Sequence, residues 1–160
     1  MKFALIGCGF VGSLRARALA GLSEPGVRLV HCVDPDRPRA ERTASPHPGC
    51  DAGDDWHAPL ERMDVDAVIV STPHDALAEI ARAALAAGKH VFLEKPAARR
   101  TEEIADLPAL AASRGLRVRV GFNLRHHRSF RQARDLVDSG VLGDLMFVRA
   151  RYGHGGRVGY

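Results

Sequence analysis

The chain has 160 residues, 46% hydrophobic and 26% charged, with 16 Gly, 9 Pro and a formal net charge of +4. That apolar content excludes a disordered chain, which lacks the burial to offset its conformational entropy, and no apolar run approaches the roughly 20 residues a membrane-spanning helix needs. One buried core is expected at this length, and the charge excess is too small to point to nucleic acid.

The apolar start, residues 1–6, is interrupted by Gly7 too early for a signal peptide. Cys8, Cys32 and Cys50 are odd in number and lie outside CxxC spacing, which argues for a reducing compartment and against a disulfide framework. A soluble cytoplasmic protein is expected.

Short apolar runs then alternate with helical periodicity, the pattern of a parallel sheet covered by helices. The first run, residues 3–6, leads through a Gly-rich turn into a helix over about 10–22. The second, 28–33, follows the turn Glu24-Pro25-Gly26, and residues 35–43 suit a short Arg-rich helix. Pro46, Pro48, Gly49 and Gly53 predict an irregular loop. The third run, 67–70, is Ala-Val-Ile-Val, as a central strand buried on both faces requires. A helix over about 76–87 is expected next, with Asp75 as N-cap and Gly88 as C-cap.

The fourth run, 90–93, stops at Glu94-Lys95-Pro96. Thr101 is placed to cap the following helix, with Pro108 kinking or restarting it, and residues 117–120 read as a fifth strand. Beyond Gly121 come a basic segment, a helix over about 129–139, a turn at 140–143 and a last strand over 145–152, with Met146, Val148, Ala150 and Tyr152 sharing one face.

Gly7-Cys8-Gly9-Phe10-Val11-Gly12 is a GxGxxG motif that ends a strand and opens a helix. In that context Gly7 permits the tight turn, Gly9 lets the backbone approach a pyrophosphate, and Gly12 allows close helix–strand packing. The helix N-terminus then favours the anion. Asp34 ends the second strand and is positioned to accept the adenosine ribose hydroxyls, which favours NAD, while Arg37 leaves NADP open. Ser71-Thr72-Pro73-His74 and Glu94-Lys95-Pro96 fall at the carboxyl ends of the third and fourth strands, the edge where open parallel sheets bind ligands. A lysine there can hydrogen-bond a substrate hydroxyl and share in proton transfer. The spacing of His47, Cys50 and His57 fits no zinc pattern, so no metal site is expected. The basic residues Arg125, His126, His127, Arg128, Arg131 and Arg134 read as a solvated helix face.

The glycine motif, Asp34, Thr72-Pro73, the run from Ala84 through Gly88-Lys89-His90-Val91 to Glu94-Lys95-Pro96, and Gly121-Phe122-Asn123-Leu124-Arg125 together resemble the Gfo/Idh/MocA family of NAD(P)-dependent oxidoreductases. The resemblance covers essentially the whole chain, but only the amino-terminal part of a family member. It implies a Rossmann-type doubly wound parallel sheet over residues 1–120, with 121–160 beginning an α/β second domain that is incomplete. It further implies that Gly7, Gly9, Phe10, Val11 and Gly12 line the pyrophosphate site, that Asp34 meets the ribose, that Thr72 and Pro73 border the cofactor, that Glu94 lies near the nicotinamide ribose and Arg125 near the nicotinamide, and that Lys95 is catalytic. The implied reaction interconverts a hydroxyl and a carbonyl on a small molecule such as a sugar or cyclitol. Homo-oligomers form where the second domain is complete, and neither nucleic acid nor membrane is a partner. His74 and Leu77 depart from the family's Asn and His, and a Gly-rich helix bearing an Asp and a His is missing. His154 is read as a loop residue. The alternative function is a dinucleotide-binding module without catalysis.

Overall fold

The computed structural model describes residues 1–151 and 153. The chain divides into two compact units, Met1–Phe122 and a second that begins at Asn123.

The first unit is built on β1 (Lys2–Ile6), β2 (Arg28–Val33), β3 (Asp51–Gly53), β4 (Ala67–Val70), β5 (His90–Leu93) and β6 (Val118–Val120). These pair in the order β3-β2-β1-β4-β5-β6, every pair parallel. The helices are α1 (Phe10–Ala20), α2 (Arg37–Ala44), α3 (Ala58–Glu61), α4 (His74–Ala86) and α5 (Leu107–Ser113). The order of strands reverses between β1 and β4, which are paired from Phe3↔Ala67 to Ile6↔Val70.

Alternation along the central strands feeds two cores. Ala4, Ile6, Val68 and Val70 pack with Leu77 and Leu85 of α4. Leu5, Cys32 and Ile69 face the other way, into a cluster with Ala16 of α1 and Ala40 and Ala44 of α2. A strand covered on both sides has no polar face, which is why Ala67 to Val70 are all buried. Helix α4 buries Leu77, Ala78, Ile80, Ala81, Ala84 and Leu85 at helical spacing. It ends where Gly88, at φ +78°, donates its N–H to the Leu85 carbonyl at 3.1 Å. Next to it the buried Lys89 ammonium donates to the carbonyls of Arg62 at 2.6 Å and Val65 at 2.9 Å.

Several expectations are corrected. The loop read over 46–53 contains β3, whose three residues carry no apolar signal and are ordered by their ladder to His31, Cys32 and Val33. The 117–120 strand is therefore the sixth. Asp75 is not the N-cap of α4; the helix starts two residues earlier, at His74 behind Pro73, and Asp75 lies in its first turn, where the dipole still favours a carboxylate. Thr101 does not cap a helix but begins a 3₁₀ turn, Thr101–Glu103. Glu103 reaches back to the Arg99 N–H at 3.0 Å, and the helix restarts at Leu107 with Pro108 in its first turn, where no N–H is missed.

The second unit holds a 3₁₀ turn, Asn123–His126, and α6 (Arg128–Asp138), capped by the His127 ring, which accepts the Ser129 N–H at 3.3 Å. The strand expected over 145–152 is not formed: residues 145–151 have no regular structure, and Tyr152, like His154, lies outside the described residues. A strand exists through its ladder, and among the described residues no segment pairs with this one.

Candidate functional site

The glycine turn sits at the carboxyl end of β1, at the reversal of strand order. Gly7 has φ +93°, and a Cβ on it would lie 2.7 Å from the carbonyl carbon and oxygen of Ser71, so the turn presses directly on the end of β4. A Cβ on Gly12 would fall 1.9 Å from the Gly7 carbonyl oxygen, so only glycine lets the first turn of α1 sit this close to β1. Gly9 is the opposite case, since nothing lies within 4 Å of where its Cβ would be. It is the N-cap of α1 and brings no capping side chain, so the first N–H groups of the helix are left without partners in an open space. Phe10 and Val11 flank that space and are exposed.

Asp34, just past β2, is buried, and both of its oxygens are held. Oδ2 accepts the Cys8 N–H at 2.8 Å and Oδ1 accepts the Asp36 N–H at 2.9 Å. The neighbouring guanidinium is not that of Arg37, which pairs with Glu41 one helical turn on at 3.2 Å. It is that of Arg39, whose Nη1 is 3.5 Å from Asp34 and Nη2 3.2 Å from Asp36. Sequence reasoning missed Arg39. Its signal is helical geometry: with Asp36 as N-cap, the third helical residue turns back over the cap. A hollow of about 660 Å³ opens here, lined by Gly9, Phe10, Arg17, Arg39, Arg42 and His47 among others. Burial pushes the His47 imidazole below its ordinary pKa.

On the other side of β1, Thr72 and Pro73 follow β4. The hydroxyl oxygens of Ser71 and Thr72 are buried without a hydrogen-bond partner, an expensive state that asks for a ligand or a solvent bond. Glu94, at the end of β5, is buried and bound by the Arg15 side chain of α1. The Arg15 guanidinium also lies 5.2 Å over the Phe92 ring. Gly121 closes this cluster, because a Cβ there would stand 3.3 Å from Arg15 Nη2 and Glu94 Oε2. Arg15 thus ties α1 to the end of β5, a role that no local sequence pattern signals. Lys95 follows on the surface, exposed, with no hydrogen bond from its ammonium among the described residues.

The structure therefore brings Gly7 to Gly12, Asp34, Thr72, Pro73, Glu94 and Lys95 to one sheet edge. Arg125 belongs to the second unit, where it is exposed in the 3₁₀ turn. Leu77, by contrast, is wholly buried in the core.

A parallel sheet of this order, with a glycine turn at its reversal and an acid at the end of β2, is a dinucleotide-binding Rossmann domain. The open backbone at Gly9 and the unpartnered hydroxyls of Ser71 and Thr72 fit such a ligand. Residues 1–122 match the Gfo/Idh/MocA family, an oxidoreductase family with an NAD-binding Rossmann fold, and the chain belongs to that family. A dTDP-3,4-didehydro-2,6-dideoxy-alpha-D-glucose 3-reductase of Streptomyces antibioticus is 34% identical over 152 residues, covering 95% of this chain and 46% of the relative. Among solved structures, scyllo-inositol dehydrogenase from Lactobacillus casei with bound NAD(H) and scyllo-inositol superposes with a TM-score of 0.82 at 28% identity, over 90% of this chain and 42% of that one. A 3-ketoreductase from Actinomadura kijaniata in complex with NADP gives 0.79 at 34% identity, over 90% and 45%. The chain spans less than half the length of the curated relatives it matches. No helix among the described residues is long and apolar enough to cross a membrane.

Proposed function

We propose that this chain supplies the dinucleotide half of an NAD(P)-dependent oxidoreductase that acts on a hydroxyl or carbonyl carbon of a sugar, cyclitol or related small molecule. The observation that carries the reading is the glycine turn: two glycines are needed sterically, and the third leaves the helix N-terminus open beside Asp34. In this reading Gly7, Gly9, Phe10, Val11 and Gly12 hold the pyrophosphate and Asp34 takes the ribose hydroxyls. Thr72 and Pro73 border the second mononucleotide, Glu94 its ribose, and Arg125 its nicotinamide. The bound nicotinamide supplies the hydride acceptor or donor. Lys95 orients the substrate hydroxyl and takes or returns its proton, together with groups from the rest of the second domain.

Residues 1–120 form the cofactor domain in this scheme and 121–160 begin the substrate and oligomerisation domain. The relatives support a sugar or inositol-like substrate and either NAD or NADP. Three free cysteines accord with a cytoplasmic setting. A second reading is a dinucleotide-binding module without turnover, which the open glycine turn alone would equally serve. Absorbance at the nicotinamide band with NAD and a panel of polyols separates the two. Turnover that Lys95→Met abolishes while NADH fluorescence titration is unchanged is the expected result; NADH binding with no turnover on any polyol favours the second reading.

A further inference from the structure

The three cysteines have no role in the reading above, yet the fold brings them together. Cys8 lies in the glycine turn, Cys32 within β2, and Cys50 immediately before β3. The Cys8 thiol donates to the Val33 carbonyl at 3.5 Å. The sulfurs of Cys32 and Cys50, 18 residues apart in sequence, are 3.8 Å from each other. Cys8 and Cys32 are buried, whereas Cys50 is partly exposed. A disulfide needs a sulfur separation of about 2.05 Å, so closing this pair takes a movement of about 1.8 Å. Cys32 is wholly buried in a strand paired on both sides, which leaves Cys50, at the edge of the sheet, as the partner that moves.

We propose that Cys32 and Cys50 form a reversible disulfide under hydrogen peroxide, and that this crosslink and a bound dinucleotide oppose each other. The Cys50 thiolate attacks a peroxide oxygen: an S–O bond forms, the O–O bond breaks and hydroxide leaves. Cys32 then attacks the Cys50 sulfur; the S–S bond forms, the S–O bond breaks, and water leaves with the Cys32 proton. Two thiols are oxidised and one peroxide is reduced to two waters. A dithiol reverses the change. Supporting the order of events, the Cys32 thiol hydrogen-bonds Cys50 and holds the Cys50 thiol below its ordinary range.

The coupling rests on the dinucleotide reading; the crosslink does not. The segment that the disulfide would close carries Asp34 and α2, and its Arg39, Thr43 and His47 line the hollow beside the glycine turn. The Cys50 N–H donates to the His47 carbonyl at 3.0 Å, and the His47 N–H to Ala44 at 2.8 Å. Moving Cys50 therefore displaces His47 and the end of α2, which border that hollow.

The test uses the whole chain, reduced, desalted and treated with hydrogen peroxide. The expected product has lost about 2 Da, contains one peptide pair joined through Cys32 and Cys50, and regains its mass with dithiothreitol. Cys8→Ser retains the loss and Cys50→Ser does not. NADH fluorescence titration should show the oxidised form binding about fivefold more weakly or worse, and saturating NADH should shift the dithiol–disulfide equilibrium in a glutathione buffer toward the dithiol by the same factor, because coupling is reciprocal. A gain of one oxygen on Cys50 without crosslinking, or a crosslink through Cys8, would overturn the disulfide. Equal NADH affinity of the two forms would overturn the coupling. A reduced protein that takes up no NADH would remove the dinucleotide reading and the coupling with it, while mass still decides the crosslink.

Discussion

Gly9 and Gly12 stand three residues apart in one motif, and the structure asks opposite things of them. A methyl group on Gly12 has no room, since the Gly7 carbonyl oxygen lies 1.9 Å from its position. Gly12→Ala should push α1 off β1, costing about 1–3 kcal/mol of stability and weakening NADH binding about tenfold or more. Gly9→Ala meets open space in the protein, so its melting temperature should match the parent while NADH binding still falls. Parallel thermal melts and fluorescence titrations read both variants; a Gly9→Ala protein that binds NADH normally would remove the backbone at Gly9 from the ligand site. We predict that Arg39 distinguishes the two cofactors. It is the guanidinium beside Asp34, and a charged hydrogen bond to a 2′-phosphate contributes about 1.5–3 kcal/mol. Arg39→Ala should therefore weaken NADPH about tenfold or more and leave NADH within about threefold; equal losses in the two titrations would sink this assignment. The glycines and Asp34 were legible in the sequence because their roles are local and depend on spacing along the chain. Arg39 and Arg15 were not, since each acts on a partner that only helix geometry or the arrangement of the sheet brings near.

At the scale of elements, β1, β2, β4, β5 and α4 were readable because each buries a periodic apolar face against neighbours on both sides. The failures are elements without such a face. Asp51-Ala52-Gly53 becomes a strand only because β2 offers it a ladder, and the alternating run after Leu145 stays irregular because alternation is not sufficient without one. The price of that ladder falls on β2 at His31, which pairs with Asp51 and is buried with Nδ1 unbonded. Burial, with the Arg62 charge nearby, pushes its imidazole below the ordinary value of 6.5. The folded protein thus keeps His31 neutral where the unfolded chain takes up a proton. Stability from this group is full above about pH 6.5 and declines as pH falls below it. Urea midpoints should be lower at pH 5.5 than at pH 7.5, and His31→Leu should flatten that slope, with the remaining dependence carried partly by His47. A slope unchanged in the variant would show that His31 does not link protons to folding.

For the whole molecule, the distribution of apolar surface separates the two units more sharply than composition does. Every buried hydrophobic residue of the described chain lies at or before Ala111. Beyond Phe122 the large apolar side chains are exposed, among them Phe130, Leu142, Met146 and Phe147. Both cores are therefore complete within residues 1–122, the same span that matches the family. A protein of residues 1–122 keeps every residue of both cores. It should melt at the same temperature as the full chain and bind NADH within about threefold, a margin of less than about 1 kcal/mol. The segment from 123 onward should instead govern association, since exposed apolar side chains in this density drive self-contact. Light scattering across a concentration series should show the full chain growing in mass while residues 1–122 stay monomeric. A shortened protein that unfolds or loses NADH would mean that the second unit supports the cofactor site, through Arg125 or the residues around it. One that still self-associates would place the sticky surface on the first unit, where the partly open apolar hollow between Leu19, Leu22, Ile69 and Phe92 is the face to examine by substitution.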